Sequence, residues 1–291
     1  MEHRLLGGGA FDVQLQHMKL AGLTINAGDY GFPASARGCI PHDQVFLGLN
    51  THITGELREN YQEVSLDKLV LYAPGMELQY TSLGRNRWIM LMLPLERLQE
   101  AAISQQGAEL TWPHQGLRQI DLHPLVANRL RREFEGLLQF GSLFAGVPDT
   151  TLIESLASEG LVQLLVQAIT HGCPSSVPKL SAGRKVALNR LDASIESWLN
   201  DPDRDLSVAN IEGTSQRMLE IAVREVYGVT PYRWIKIAKL NAAYRDLLSS
   251  RCSSVTEVCQ KWNIGHAGRF AKDYRALFGE SPRETLKNSG N

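Results

Sequence analysis

The chain has 291 residues, of which 43% are hydrophobic, and this is enough for two domains with buried cores. Its amino terminus lacks a basic region followed by an apolar run, and no later segment reaches about 18 uninterrupted apolar residues. We therefore expect a cytoplasmic protein with no membrane partner. Four scattered cysteines, with no C-x-x-C motif and no nearby histidine pair, indicate neither a zinc site nor a disulfide framework.

The net charge of −1 conceals a difference between the two parts of the chain. Residues 184–291 contain 17 Lys and Arg against 13 Asp and Glu, a net of +4, whereas residues 1–183 carry a net of −5. Only the carboxy-terminal part has the sign that a polyanion such as DNA attracts. A surplus of four charges is modest, so charge alone leaves the function of this part open.

Apolar residues between Phe11 and about Leu93 come in short runs that turn clusters separate. The runs include V-F-L-G-L, K-L-V-L-Y and W-I-M-L-M-L, and the turns include N-A-G-D-Y-G and S-L-G-R-N-R. This pattern predicts an antiparallel β-sandwich or barrel over residues 1–120. His42 and His52 lie in this region without a His-x-His pair or a downstream carboxylate at a suitable spacing, so we predict no bound metal.

Helical spacing replaces the short runs after about Leu95 and predicts a helical segment over residues 121–171. Within it, residues 151–169 form an apolar face that is wider than packing on a small β-domain requires. We therefore predict that this face forms a dimer interface. Its central residues are Leu161, Leu164 and Leu165. Two prolines and two glycines then predict a linker over residues 172–183.

From about residue 254 onward, the sequence has the pattern of two short helices joined by a tight turn. The first helix, V-T-E-V-C-Q-K-W, follows a cap at Ser253 or Ser254, and Asn263 and Gly265 end it. The second begins near His266, and its apolar residues share one side at about 100° per residue. The opposite side presents Gly268, Arg269, Lys272 and Arg275. This is the pattern of a helix-turn-helix, in which the second helix points its amino end into the major groove.

A similar unit lies upstream in T-S-Q-R-M-L-E-I-A-V-R-E-V-Y-G-V-T-P. Its helical spacing places apolar residues on one side and Glu220 at the margin. The outward-facing residues are Arg217, Ile221 and Arg224. Both units end in a G-x-[ST]-P turn, at Gly228–Pro231 and Gly279–Pro282. The helix between them spans about 27 Å, near the ~34 Å that separates successive major-groove faces, so one chain can read two adjacent grooves.

Residues 184–287 resemble the DNA-binding domain of AraC/XylS-type transcription regulators. The resemblance depends on G-V-T-P-Y-R-W, on A-K-L-N-A-A-Y-R-D-L-L in the connecting helix, and on S-V-T-E-V-C-Q-K-W-N-I-G-H-A-G-R-F in the second unit. It implies two helix-turn-helix units that bind double-stranded DNA, and contact with RNA polymerase. It also implies that a β-rich domain, which binds a small-molecule effector and forms a homodimer, precedes them.

The resulting fold prediction is α+β. A cupin-like β-sandwich or barrel with helices occupies residues 1–171, and an all-α double helix-turn-helix domain occupies residues 184–291. We predict a transcription regulator, and an activator in particular. The DNA-binding residues that the resemblance implies are Arg217, Glu220, Ile221, Arg224, His266, Gly268, Arg269, Lys272 and Arg275.

The first unit departs from the family pattern. Its segment L-S-V-A-N-I-E-G-T-S is about three residues shorter than the family has before the recognition helix, which predicts a truncated or distorted first helix. We therefore predict that this unit reads DNA more weakly than the second. In both units a tryptophan, Trp234 or Trp262, is expected in the core or at a domain contact, and His266 at a helix start or a phosphate.

Catalytic motifs are missing from the sequence, since it contains neither G-x-S-x-G nor G-x-x-x-x-G-K, and we predict neither an enzyme nor a cofactor. Two alternatives stay open. One is a dimeric DNA-binding regulator that needs no ligand. The other is a DNA-repair methyltransferase fused to this DNA-binding domain, which would require a clustered cysteine site, whereas Cys39 stands alone in the β-rich region.

Overall fold

The computed structural model describes residues 2–8, 12–143, 150–176, 180–204, 206–249 and 252–289. Its amino-terminal part consists of antiparallel strands arranged in two sheets. The strands are β1 (Glu2–Leu5), β2 (Val13–Leu20), β3 (Leu23–Tyr30), β4 (Ala34–Cys39), β5 (Val45–Ile53), β6 (Leu57–Glu59), β7 (Gln62–Glu63), β8 (Lys68–Tyr72), β9 (Glu77–Ser82), β10 (Asn86–Leu93), β11 (Leu117–Asp121) and β12 (Cys173–Pro174).

The two sheets pack face to face as a sandwich. The smaller sheet has the strand order β1-β4-β9-β6-β7, and the larger has the order β12-β11-β8-β5-β10-β3-β2. Phe46 and Tyr72 of the larger sheet face the smaller one, whereas Leu47 and Leu71 face a layer of helices. Because both faces of the larger sheet are covered, its strands have continuous apolar runs instead of alternating ones. The predicted β-sandwich is confirmed.

Three helices cover the outer face of the larger sheet: α1 (Leu95–Gln106), α2 (Pro124–Leu143) and α3 (Thr151–His171). The last of these lies against the other two and against β2. Among the described residues, α3 is the helix that is long and apolar enough to cross a membrane. A core helix of a globular domain can be equally long and apolar, and α3 buries part of its surface in the amino-terminal core.

The predicted dimer interface on α3 is wrong in the residues that it names. Leu161, Leu164 and Leu165 are 3%, 7% and 0% exposed, and they belong to the core shared with α1, α2 and the larger sheet. They therefore have no surface with which to contact a second copy. The wide apolar face has a different cause, since α3 has neighbours on several sides. The exposed apolar residues of this helix are Leu152, Ile153 and Leu156.

The predicted linker is shorter in the structure than residues 172–183. Its beginning belongs to the larger sheet, because Cys173 and Pro174 pair with Asp121 and Ile120. Its end belongs to the next helix, where the Ser181 hydroxyl accepts a hydrogen bond from the backbone N–H of Arg184. Residues 177–179 lie outside the described part of the chain.

The carboxy-terminal part is helical in the described residues, which confirms the predicted α+β class. Its elements are α4 (Ala182–Asn200), a 3₁₀ turn (Val208–Asn210), α5 (Gln216–Tyr227), α6 (Pro231–Leu248), α7 (Val255–Lys261), α8 (Ala267–Phe278) and α9 (Pro282–Ser289). Large aromatic side chains fill its core, and the rings of Tyr227 and Trp234 stack with their centroids 3.7 Å apart. Trp234 and Trp262 are 2% and 5% exposed, so their predicted core positions are confirmed.

The amino-terminal domain contacts the helical domain directly. Leu6 and Tyr61 from the amino-terminal part belong to the helical core. The side-chain amide of Asn241 in α6 accepts from the backbone N–H of Leu5 at 2.9 Å and donates to its carbonyl at 3.0 Å. Strand β1 therefore pairs with β4 in the smaller sheet and also bonds to the helix that connects the two helix-turn-helix units.

Candidate nucleic-acid interface

The second helix-turn-helix begins with a capping box at the start of α7. The Ser254 hydroxyl accepts from the backbone N–H of Glu257, and Glu257 accepts in return from the backbone N–H of Ser253 at 2.7 Å. The bond from Ser253 lowers the pKa of the Glu257 carboxyl. Asn263 has a positive φ of 48°, which turns the chain sharply before α8. These contacts confirm the predicted cap and turn.

A buried carboxylate fixes α7 on α6. Asp246 of α6 accepts from the indole N–H of Trp262 at 2.8 Å and pairs with the ammonium group of Lys261 at 2.7 Å. Cys259 packs in the same core, as predicted. The first helix of the unit is thus held by both apolar packing and a charge-assisted hydrogen bond, which gives α8 a rigid support.

Helix α8 divides into a buried and an exposed side, as the sequence predicts. Phe270, Tyr274 and Leu277 are buried in the helical core. The other side presents Gly268, Arg269, Lys272 and Arg275 to solvent. Among the described residues, Arg269 and Lys272 have no ion-pair partner. Two cations therefore project from this helix with their charges uncompensated by the described part of the chain.

The first turn of α8 is exposed to solvent and carries small side chains. His266 occupies the N-cap position, is exposed, and makes no side-chain capping bond. A Cβ on Gly268 would meet nothing within 4 Å, so packing inside the chain does not require a glycine there. An open helix start with unpaired backbone N–H groups favours an anion such as a phosphate. The small residue leaves room for a close partner.

The first unit has a shortened first helix, which confirms that prediction. A single 3₁₀ turn, Val208–Asn210, stands where the family pattern has a helix. Recognition helix α5 is nevertheless well formed, because the Ser215 hydroxyl accepts from the backbone N–H of Met218. Its residues Leu219, Ala222, Val223 and Val226 are buried.

The exposed side of α5 is less cationic than that of α8. Arg217 and Ile221 face solvent, and Ile221 is 39% exposed. Arg224 also faces solvent, but its guanidinium bonds to the Glu220 carboxylate at 2.7 Å, one helical turn away. Two of the predicted DNA-binding residues thus neutralise each other in this structure. The pairing is consistent with a weaker first reader.

The two recognition helices are separated by α6, a helix of 18 residues that spans about 27 Å. Gly228 and Gly279 end the recognition helices with φ of 67° and 79°, a conformation that favours glycine. Lys236 of α6 forms an ion pair with Asp273 of α8. The Gly228 turn joins α5 directly to α6, and the ion pair holds α8 against the same helix.

A polar cluster between the two domains could not be found from the sequence. The Gln79 side-chain amide donates to the Tyr227 hydroxyl at 2.5 Å and lies 3.4 Å from the Asp192 carboxylate. Burial raises the pKa of Asp192 to about 6. Arg37 of β4 pairs with Glu196 on the same face of α4. Sequence separations of more than 100 residues leave no local signal for such contacts.

A cavity of about 510 Å³ lies between the two sheets of the sandwich. Strands of both sheets line it, with aromatic side chains such as Tyr30, Phe46 and Trp88. Two buried polar residues, Asn50 and Glu59, also face it. Their sequence signal is weak: each is a single polar residue at the end of a short strand or apolar run.

Comparison with known proteins agrees with the helical geometry. A family model described as "Helix-turn-helix domain" matches residues 208–288. The chain is 28% identical over 206 residues to the "Probable thc operon regulatory protein" of Rhodococcus erythropolis, covering 68% of this chain and 61% of that protein. It is 25% identical over 297 residues to "XylDLEGF operon transcriptional activator 1" of Pseudomonas putida, covering 98% of this chain and 87% of that protein.

Among solved structures, the AraC-like transcriptional activator CuxR is similar with a TM-score of 0.41 and 17% identity, over 84% of this chain and 86% of that one. The match to the Rhodococcus protein spans less than two thirds of that relative's length. The two recognition helices, the connecting helix and the family match all fall in the same part of the chain. Residues 208–288 therefore carry a helix-turn-helix domain, and the chain is similar to transcription regulators of the AraC/XylS type.

Proposed function

We propose that the chain is a sequence-specific, DNA-binding transcription regulator of the cytoplasm. The observation that carries this proposal is the exposed side of α8, where Arg269 and Lys272 have no ion-pair partner among the described residues. Arginine and lysine pair with guanine edges in the major groove, and both neutralise phosphates. The exposed residues of α5 supply a second reader. The connecting helix α6 is about 27 Å long, a length suited to reading the adjacent groove.

We propose further that the regulator is an activator. One similar protein of Pseudomonas putida is a transcriptional activator by its name, and it is similar to nearly the whole of this chain. An activator bound beside a promoter raises transcription by contacting RNA polymerase, which is therefore the second partner in this proposal.

The cavity in the β-sandwich supports a small-molecule effector over the alternative of a ligand-independent regulator. Ligand pockets are commonly about 300–1,000 Å³, apolar, and furnished with a few polar groups, and this cavity has all three features. Its domain contacts α5 and α6 through Gln79 and Leu5, so a change in the sandwich can reach the recognition helices.

A homodimer is the proposed assembly. Leu152, Ile153 and Leu156 are 71%, 52% and 66% exposed at the beginning of α3, and Thr150 precedes them. Three large apolar side chains within five residues of one helix form a patch suited to a symmetric contact with a second copy. A dimer carries four recognition helices, which increases the affinity for paired half-sites through avidity.

Genome-wide binding of the full-length chain tests the proposal. We expect bound regions to share a motif with two half-sites, upstream of genes whose transcription falls when the protein is removed. The Arg269→Ala variant should lose these regions while it stays folded. Bound regions without a common motif, or a variant that binds the same regions, would contradict sequence-specific reading by α8.

A further inference from the structure

The cavity between the sheets has a lining that discriminates by charge. Apolar and aromatic side chains supply most of it, including Tyr30, Phe46, Trp88 and Met90. None of the described residues that line it is a lysine or an arginine. Its carboxylate is that of Glu59, which is 6% exposed. Binding of an anion would be unfavourable, because the ion would lose its hydration and would meet a buried acid and no strong cation.

Glu59 is held in place by a contact across the two sheets. The Tyr72 hydroxyl of the larger sheet donates to the Glu59 carboxylate of the smaller sheet at 2.6 Å. Gly48 makes this contact possible, because a Cβ there would collide with the Tyr72 hydroxyl. Burial raises the pKa of Glu59 to about 7. Above that pH the carboxylate is charged and accepts hydrogen bonds inside the cavity.

Asn50 supplies a second acceptor. Its side chain is 2% exposed and lines the cavity, and its Oδ1 atom has no hydrogen-bond partner among the described residues. A buried amide oxygen without a partner is unfavourable, and a ligand N–H or O–H group would satisfy it. This unpartnered group is independent of Glu59, since it lies on β5, in the other sheet.

The histidines of the lining do not supply a buried cation for an anionic ligand. His3 and His17 are exposed, so they lie at the rim of the cavity. His3 contacts the Tyr30 hydroxyl at 3.1 Å, and His17 contacts the Asn26 amide at 2.7 Å. The buried polar groups that a deeply seated ligand meets are therefore uncharged hydroxyls, such as those of Tyr30 and Tyr80, and the acceptors Asn50 and Glu59.

We infer that this cavity binds an uncharged aromatic molecule with an N–H or O–H donor, such as an aryl amide or a phenol, and excludes the corresponding carboxylate. The aromatic lining takes the ring, and Asn50 and Glu59 take the donor. The inference rests on the proposed function in one respect, namely that the ligand is the effector. The ligand class itself depends only on the lining.

Titration calorimetry with the full-length chain at pH 8 tests this inference with two probes of the same shape, 2-naphthamide and 2-naphthoate. We expect 2-naphthamide to bind at least tenfold more tightly. Glu59→Gln removes the negative charge at nearly constant shape and should bring the two affinities within about threefold of each other. Glu63→Gln, on an exposed site of β7, is the matched control and should keep the full discrimination.

Asn50→Leu tests the second acceptor. It replaces an amide whose buried oxygen is unpaired with an apolar group, so we expect a higher melting temperature together with at least tenfold weaker binding of 2-naphthamide. The melting temperature separates a folded variant that has lost its acceptor from an unfolded one. Equal or tighter binding of 2-naphthoate by the wild-type chain, or no binding of either probe, overturns the inference.

A gel shift without ligand, on a site from the genome-wide experiment, separates this inference from the proposed function. Normal DNA binding with neither probe bound means that the ligand class is wrong and the DNA-binding function stands. Probe binding with the expected preference but without DNA binding means that the ligand class holds and the regulatory function fails.

Discussion

The hydroxyl of Tyr227, the last residue of the first recognition helix, lies 2.5 Å from Nε2 of Gln79 in strand β9. The same amide lies 3.4 Å from the carboxylate of Asp192 in α4, so three elements meet at one side chain. Tyr227 is 1% exposed and stacks on Trp234, and it cannot follow a movement of β9 without moving α5 or α6. This contact is a direct route between the β-sandwich and the DNA-reading helices.

Asp192 makes the domain contact depend on pH. Burial raises its pKa from 3.8 to about 6, so the folded chain holds this proton more tightly than the unfolded chain. A group with a raised pKa contributes stability that is present below about pH 4 and is lost as the pH rises through 6. The expected loss is about 2 kcal/mol between pH 4 and pH 7.

Urea unfolding of the wild-type chain and of Asp192→Asn at both pH values measures this effect. The Asp192→Asn variant should lack this part of the pH dependence. At pH 7 it should therefore be more stable than the wild-type chain. Glu59 also has a raised pKa, so the informative quantity is the difference between the two proteins and not the wild-type slope. Asp201→Asn, at an exposed site, serves as control, and parallel slopes for Asp192→Asn and wild type would contradict the prediction.

Local patterns made the helical domain predictable from the sequence. The cap at Ser254, the turn at Asn263 and the left-handed Gly279 each act within a few residues, so apolar spacing and capping residues locate them. The truncation before α5 was predictable for the same reason, because a missing turn is a difference in local length. The exposed cations of α8 follow from the helical period once the helix start is known.

Contacts between distant segments could not be predicted. The width of the apolar face on α3 was visible, but the sequence does not show whether α1, α2 and β2 or a second copy covers Leu161 and Leu165. The docking of Gln79 on Tyr227 joins residues 148 positions apart. Asn50 and Glu59 become a pair of acceptors only when the two sheets face each other.

The two recognition helices should contribute unequally to DNA binding. Arg269 has no ion-pair partner among the described residues, whereas α5 follows a truncated helix and pairs Arg224 with Glu220. We expect Arg269→Ala to cost about 1–3 kcal/mol on the specific site and much less on unrelated DNA, as for a contact to a base edge. Arg217→Ala should cost less than Arg269→Ala.

Gel-shift titrations at several salt concentrations measure both variants. Arg129→Ala, an exposed arginine of the amino-terminal domain, is the matched control and should bind like wild type. A phosphate contact would behave differently from a base contact, because it weakens all sequences alike and lowers the salt slope by about one. An equal loss for Arg217→Ala and Arg269→Ala would show that the first unit is not the weaker reader.

Glu220 should restrain Arg224 within α5. Their bond of 2.7 Å is exposed and stabilises the helix by only about 0.5 kcal/mol. Glu220→Ala frees the guanidinium to neutralise a phosphate, so we expect affinity for all sequences to rise a few-fold and the salt slope to increase by up to about one. The double variant Glu220→Ala/Arg224→Ala should bind like Arg224→Ala. Loss of affinity confined to the specific site in Glu220→Ala would instead mean that Glu220 itself reads a base.

The exposed apolar patch of α3 should hold the dimer together. Leu152 and Leu156 are 71% and 66% exposed, so lysine at both positions stays in water in the monomer and leaves its fold intact, but it places charges in the proposed interface. We expect a monomer in sedimentation with an unchanged circular dichroism spectrum. Leu125→Lys, at an equally exposed site on α2, should stay dimeric.

Leu161→Lys/Leu165→Lys should unfold the domain, because both leucines are core residues and a buried ammonium group without a partner is strongly unfavourable. An unchanged dimer mass in the Leu152/Leu156 variant would place the interface elsewhere on the chain.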